Sequence, residues 1–412
     1  MRDKKSLFFK LLGFVLAFPI FLTPNLSVFK GGSFDGEFAF PISFVVVFFV
    51  GLFLILTAAN RLPLKLLGLY FLAFVGFFVT LPMGWFEGSA LYVLYFVPMV
   101  FSISAGYFSS PDKNSICQFQ RWFGFSAAFA ALLHISSSVN EFGWLGAFAN
   151  RGSDSIFGIF SIYQKFVYYA TIISFGFLFV LKSGKGIFRV ILCLFLLIDV
   201  LITGSREALI LIVFFVMCHL MGGGRGFIPR IFLFSFLFLI AAFVFWVCWY
   251  LFEYDLGRLV FLSKIYQLIE SGDLTAGRLD TISYVYGLIS LDIPFVFFGT
   301  FFQSKLIEFG APHNQYLEWH FRGGILFLWM NLVILFYAVI AAKKFRHDFA
   351  GAIYLLLLAV IFISNNINTP FRAPYASIPI WFVVGILFSL KKSSESFNEA
   401  DTSKYGKWRN VD

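Results

Sequence analysis

Three short stretches of this sequence combine residue types that can bind an oxyanion or move a proton. In the run Thr203–Leu209 (TGSREAL), Arg206 lies between two apolar segments. The planar fork of an arginine can grip a phosphate bidentately, although an arginine that merely snorkels to an interface has the same signature. In Ala276–Asp280 (AGRLD), Gly277 allows a tight turn from which Arg278 projects, and the plainer reading is a surface arginine paired with Asp280. The run Ala311–Gly324 (APHNQYLEWHFRGG) gathers His313, Asn314, Tyr316, Glu318, His320 and Arg322 where the chain runs into an apolar segment. Polar groups in such a place cost free energy unless they are paired or used. His313 can act as a base near neutral pH. The alternative is a polar helix cap, with Pro312 and Asn314 starting a helix.

The elements that carry these residues follow from composition. Of 412 residues, 60% are hydrophobic and 13% charged, whereas a soluble globular chain has roughly 25% charged residues. Apolar runs long enough to span a bilayer recur at 7–24, 41–58, 64–83, 90–108, 122–138, 157–181, 188–204, 207–221, 231–252, 323–342, 350–365 and 375–390. The expected fold is therefore an all-α polytopic membrane protein with about twelve transmembrane helices. The basic N-terminus before the first run resembles a signal peptide, but the run is long and no small-residue cleavage site follows, so it reads as a retained span.

Alternate loops are basic: Arg61/Lys65, Lys113/Arg121, Lys182/Lys185/Arg189, Arg225/Arg230, Lys343/Lys344/Arg346 and Lys391/Lys392, in register with Arg2, Lys4 and Lys5. The others carry Asp35/Glu37, Glu87, and Glu141/Arg151/Asp154. The positive-inside rule then places both ends in the cytoplasm and Arg206, Arg278 and His313 on the outer side. The net charge of +9 is read as topology and not as a nucleic-acid signal. The organisation expected is helices one to nine over 1–252, an outer loop over 253–321, helices ten to twelve over 322–390, and a polar, disordered tail over 391–412. Helical apolar spacing at Leu259–Ile269 and Leu279–Leu291 predicts short helices within the loop.

Taken in order, Ser205-Arg206 after one span, Gly277-Arg278 in a long outer loop, and His313-Asn314 with Tyr316-Leu317-Glu318 before Gly323 and a span resemble the O-antigen ligase/polymerase superfamily of bacterial membrane glycosyltransferases. The resemblance covers roughly 151–335. Glu207 stands where a small residue is common, and the aromatic that often follows the Gly-Arg pair is displaced to Tyr284. The resemblance implies a GT-C-type membrane fold with a periplasmic catalytic loop in the bacterial inner membrane. It further implies transfer of a glycan from undecaprenyl diphosphate to an acceptor, with neither metal nor cofactor. Arg206 and Arg278 would neutralise the developing diphosphate charge. His313 would serve the acceptor hydroxyl as base or orienting group, supported by Asn314 and Tyr316. Direct attack would invert the anomeric centre. Expected partners are the lipid-linked glycan donor, a lipid-linked glycan acceptor, membrane lipids and a chain-length regulator.

Two charges fall inside spans. Lys165 either lies near the lipid diphosphate or joins a structural pair, and Asp199 must pair or face a cavity. His134 and His219 read as satisfied by local hydrogen bonds. Arg151, Arg322 and Arg372 are candidates for the substrate groove. The four cysteines, Cys117, Cys193, Cys218 and Cys248, read as inert. The 35 positions from Arg278 to His313 are compact, which favours a repeat-unit polymerase over a ligase that transfers glycan to lipid A–core. A flippase or other transporter would spread charge through the spans and show a pseudo-repeat.

Overall fold

The computed structural model describes residues 2–19, 21–22, 40–58, 67–68, 70–72, 86–150, 152–153, 155–156, 160–161, 166–222, 282–284, 286–287, 293–299, 314–346, 350–371 and 374–406. These residues are almost entirely helical. In chain order the helices are α1 (Arg2–Ala17), α2 (Ile42–Ala58), α3 (Phe86–Phe108), α4 (Lys113–Ala149), α5 (Phe166–Ser183), α6 (Gly186–Thr203), α7 (Arg206–Gly222), α8 (Ile293–Phe298), α9 (Gln315–Lys343), α10 (Gly351–Ala359), α11 (Asn365–Ile367) and α12 (Pro374–Gly406). A π turn, Val360–Ser364, joins α10 to α11. Extended pairing among the described residues is confined to Phe21–Leu22 with Phe40–Pro41 and Ser155–Ile156 with Phe160–Ser161, both antiparallel.

Among the described residues, three helices are long and apolar enough to cross a membrane: Lys113–Trp144, Gly186–Thr203 and Gln315–Lys343. Shorter apolar helices run Ile42–Thr57, Tyr95–Phe108, Tyr168–Ser183, Gly351–Ile367 and Pro374–Leu390. The expected runs at 231–252 and most of 64–83 lie outside the described residues, as does Leu259–Ile269. Of the second loop helix, residues 282–284 and 286–287 are helical, and α8 follows.

Several boundaries differ from expectation. The first helix stops at Ala17 rather than near 24, because Pro19 disfavours helical backbone at the residue before it. The sixth begins at Phe166, not 157, since Ser155–Ile156 is paired in a hairpin with Phe160–Ser161. α4 begins earlier, where Asp112 caps it by accepting from Ser115 N at 2.7 Å, and it is broken at Gly143, which has φ +71°. The expected disordered tail is helical from 391 to 406. A helix already nucleated extends at little cost, and after Gly385 no Gly or Pro interrupts it before Gly406.

The most extensive contacts join α3 to α12 and α1 to α4. Small residues allow this closeness. A Cβ at Gly106 would sit 2.2 Å from Phe382 O, and one at Gly385 would sit 2.2 Å from Ile103 O, so α3 and α12 touch backbone to backbone. A cluster of buried rings, Phe9, Phe119, Phe123, Phe179 and Phe382, ties α1, α4, α5 and α12 together. The outer faces are apolar too. Along α9, Leu326, Trp329, Val333, Phe336 and Ile340 are all exposed, while Phe327, Leu335, Ala338 and Ala342 on the other side are buried. A helix apolar on both faces fits a bundle whose surroundings are themselves apolar.

Candidate functional site

α6 ends at Gly204, whose φ of +62° reverses the chain sharply. Ser205 then starts α7, its Oγ accepting from Ala208 N at 3.3 Å. Arg206 is therefore the first helical residue, half-buried at the N-terminus of α7. Its neighbour Glu207 points inward and is buried. A buried carboxylate is expensive unless its oxygens are hydrogen-bonded, and here donors converge on it. Ser364 Oγ donates to Oε1. Asn368 Nδ2 donates to Oε2 at 2.7 Å, and Thr171 Oγ1 to the same oxygen at 3.3 Å. Glu207 thus locks the start of α7 to α5 and to the π turn with the residues that follow it.

The start of α9 fastens onto that same segment. Asn314 caps the helix, its Oδ1 accepting from Leu317 N at 3.0 Å. This is the capping role foreseen as the alternative for that residue. Gln315 Oε1 accepts from Phe371 N at 2.9 Å, and the Tyr316 hydroxyl donates to Ile361 O. Residues 361–371 therefore form the meeting place of two motifs more than a hundred positions apart. Two helix N-termini, each with a partial positive charge, end beside it. Beside it, on α9, two buried nitrogens have no hydrogen-bond partner among the described residues, Gln315 Nε2 and Trp319 Nε1. Buried polar groups are nearly always satisfied by protein, water or ligand, and both of these atoms are donors. π turns recur at functional sites, because the extra residue re-aims the side chains that follow.

One turn further along α9, Arg322 Nε donates to Glu318 Oε1 at 3.1 Å, and the Tyr95 hydroxyl donates to the same oxygen at 2.8 Å. All three side chains are buried. The backbone around Arg322 is held by glycines. A Cβ on Gly299 (φ +60°) would lie 2.6 Å from Arg322 O, and one on Gly324 (φ +69°) would lie 2.0 Å from Phe297 O. His320 Nε2 lies 3.2 Å from Val296 O on α8.

A second polar cluster is internal. His134 Nδ1 lies 2.5 Å from Asp199 Oδ1, His134 Nε2 lies 3.1 Å from Ser153 O, and the Tyr169 hydroxyl donates to Asp199 Oδ2 at 2.7 Å. A carbonyl only accepts, so Nε2 carries hydrogen, and one proton is then shared between Nδ1 and the carboxyl group. The pair is net neutral, which is how two titratable groups can sit fully buried. Asp199 is thus paired, with His134 and Tyr169.

Of the nine residues singled out from sequence, Arg206, Asn314, Tyr316 and Arg322 are described. The first three flank the 361–371 segment, and Arg322 lies below it in a buried ion pair. Arg151, Lys165, Arg278, His313 and Arg372 lie outside the described residues. Reasoning from sequence did not single out Thr171, Ser364, Asn365 and Asn368. A signal was present in Ser364–Thr369 (SNNINT), a polar run closing an apolar helix. Cys117, Cys193 and Cys218 are free thiols. No family model matches the chain, and no curated protein matches it.

Proposed function

We propose that this chain is a polytopic glycosyltransferase of the bacterial inner membrane, with about twelve spans, both termini cytoplasmic and its active site on the periplasmic face. The reaction is polymerisation of O-antigen repeat units. A hydroxyl of one lipid-linked glycan attacks the anomeric carbon of another, the bond to the diphosphate oxygen breaks, and undecaprenyl diphosphate leaves with the bonding electrons. The hydroxyl proton passes to His313. Arg206 and Arg278 neutralise the diphosphate with Lys165 as a further cation near it, while Arg151 and Arg372 are assigned to the acceptor groove. Attack from the face opposite the leaving group inverts the anomeric centre. A chain-length regulator is the expected protein partner.

One observation carries the reading. The Arg206 turn and the start of α9 (residues 314–316), distant in sequence, are fastened to one segment, 361–371, beside which Gln315 Nε2 and Trp319 Nε1 are buried donors with no partner among the described residues. Helix N-termini favour a bound anion, and two of them with an arginine at the head of one support a diphosphate over a neutral cargo. The apolar outer stripe of α9 supports the membrane placement.

The test is glycan extension in reconstituted membranes with Arg206→Ala, Arg278→Ala and His313→Ala. Each is expected to insert normally and to lose extension by on the order of a hundredfold or more. Normal insertion with undiminished extension would refute the assignment. Deleting the gene separates polymerase from ligase. A single repeat unit left on the lipid A–core supports the polymerase. Bare core with accumulated lipid-linked polymer supports the ligase.

A further inference from the structure

Far from the Arg206 turn, α1, α2 and α3 enclose an outward-facing groove of about 810 Å³, within the size range of ligand sites. It lies beside the start of α4. His134, which meets Asp199 near the end of α6, is 22 residues along α4 from Asp112, roughly 33 Å at the helical rise. The groove is therefore at the opposite end of the bundle from the candidate site. Its walls are Phe8, Phe49, Phe53 and Phe108, and at its mouth are Lys5 and Asp112. Phe49 and Phe53 are largely exposed.

Both charged side chains are held in place by backbone. Lys5 Nζ donates to Ser110 O, at a residue whose left-handed φ of +43° fixes the turn between α3 and α4. Asp112 Oδ1 accepts from Ser115 N at 2.7 Å as the cap of α4. Hydrogen bonding by Ser115, and after it the charge of Lys5, keeps the Asp112 carboxyl below the usual carboxylate range, so it is ionised at neutral pH. An apolar slot with one fixed cation and one fixed anion at its mouth matches a molecule with an aliphatic chain and a zwitterionic head.

We propose that this groove binds a phospholipid with a primary-amine head group, its acyl chain against Phe8, Phe49, Phe53 and Phe108, its phosphate on Lys5 and its ammonium on Asp112. The site rests on the membrane placement proposed above but not on the glycosyltransfer reading. A lipid held there clamps α1, α2 and α3 where they meet the start of α4.

The full chain, purified in mild detergent and stripped of lipid, is titrated with phosphatidylethanolamine or phosphatidylglycerol of identical chains, and bound lipid is counted by native mass spectrometry. Wild type is expected to bind phosphatidylethanolamine about fivefold more tightly, the size of one added exposed ion pair. Asp112→Asn, which keeps the cap, is expected to equalise the two lipids. Lys5→Gln is expected to weaken both. Phe53→Ala, which touches neither charge, is expected to weaken both while preserving the preference. Equal binding by wild type, or a preference unchanged in Asp112→Asn, overturns the proposal. Because the readout is lipid binding, it stands or falls separately from glycan extension.

Discussion

Glu207 offers the sharpest perturbation, because, among the described residues, its two oxygens accept from Thr171, Ser364 and Asn368, which lie in different places along the chain. Replacing it with alanine leaves the hydroxyls of Thr171 and Ser364 and the amide of Asn368 with no acceptor there in a buried pocket. Hydrogen bonds to a charged group are worth about 1.5–3 kcal/mol each, and the returned desolvation of the carboxylate offsets part of their sum. The expected net cost of Glu207→Ala is about 3 kcal/mol, at the lower end of the cost of breaking a buried charged pair. Glu207→Gln behaves differently. Its carbonyl oxygen can take the Oε2 place and accept from Asn368 and Thr171. Its amide then faces Ser364 Oγ, which rotates and accepts. The expected cost is about 1 kcal/mol, one neutral hydrogen bond's worth. Thermal unfolding in detergent ranks the variants, and amide exchange across 361–371 locates the loss. Alanine should speed exchange throughout that segment, and glutamine only slightly. The reasoning fails if glutamine is as damaging as alanine, since the negative charge and not its acceptor geometry would then be what matters. It fails equally if alanine leaves exchange unchanged.

Three further outcomes are expected. Gly385→Ala forces a Cβ to within 2.2 Å of Ile103 O, so α3 and α12 must separate, at a cost of about 2–3 kcal/mol measured by thermal denaturation. Arg322→Met leaves Glu318 buried without its cation and should cost about 3–5 kcal/mol, whereas adding Glu318→Leu should recover most of it; a double-mutant cycle measures this, and additive costs would return Arg322 to a substrate-facing role. Asp112→Ala should cost about 1 kcal/mol at pH 7. Because the native carboxyl titrates below its usual range, its contribution is complete above the unfolded-state pKa and is lost as pH falls through the native one. The mutant and wild-type melting curves should therefore converge as the pH falls through the native carboxyl's titration, below the usual carboxylate range.

Some of this molecule is settled by local chemistry alone. The helices follow from runs of apolar residues, and α2, α3, α6 and α7 lie close to where hydropathy places them, whereas α9 begins eight residues before the expected run at 323–342. The cap at Asn314 is readable from one polar residue before an apolar helix. The hairpin over 155–161 was not readable, because apolar residues with a glycine among them suit a strand or a helix equally and pairing decides between them. The same ambiguity hid the role of Glu207. Beside Arg206 it reads as a departure from a familiar pattern, and only packing brings Ser364, Asn368 and Thr171 to its oxygens. Asp199 and His134 are separately expensive residues in apolar helices. They become one neutral unit when α4 and α6 pack at that height. Arg206, chosen from its type and its position after a span, keeps that place at the head of α7. What tertiary structure added is its surroundings. Hydrophobicity sets which segments are helices because it acts residue by residue. Which polar groups meet depends on the register between helices, and that is decided by contacts such as Gly106 and Gly385, where the absence of a side chain lets two backbones touch.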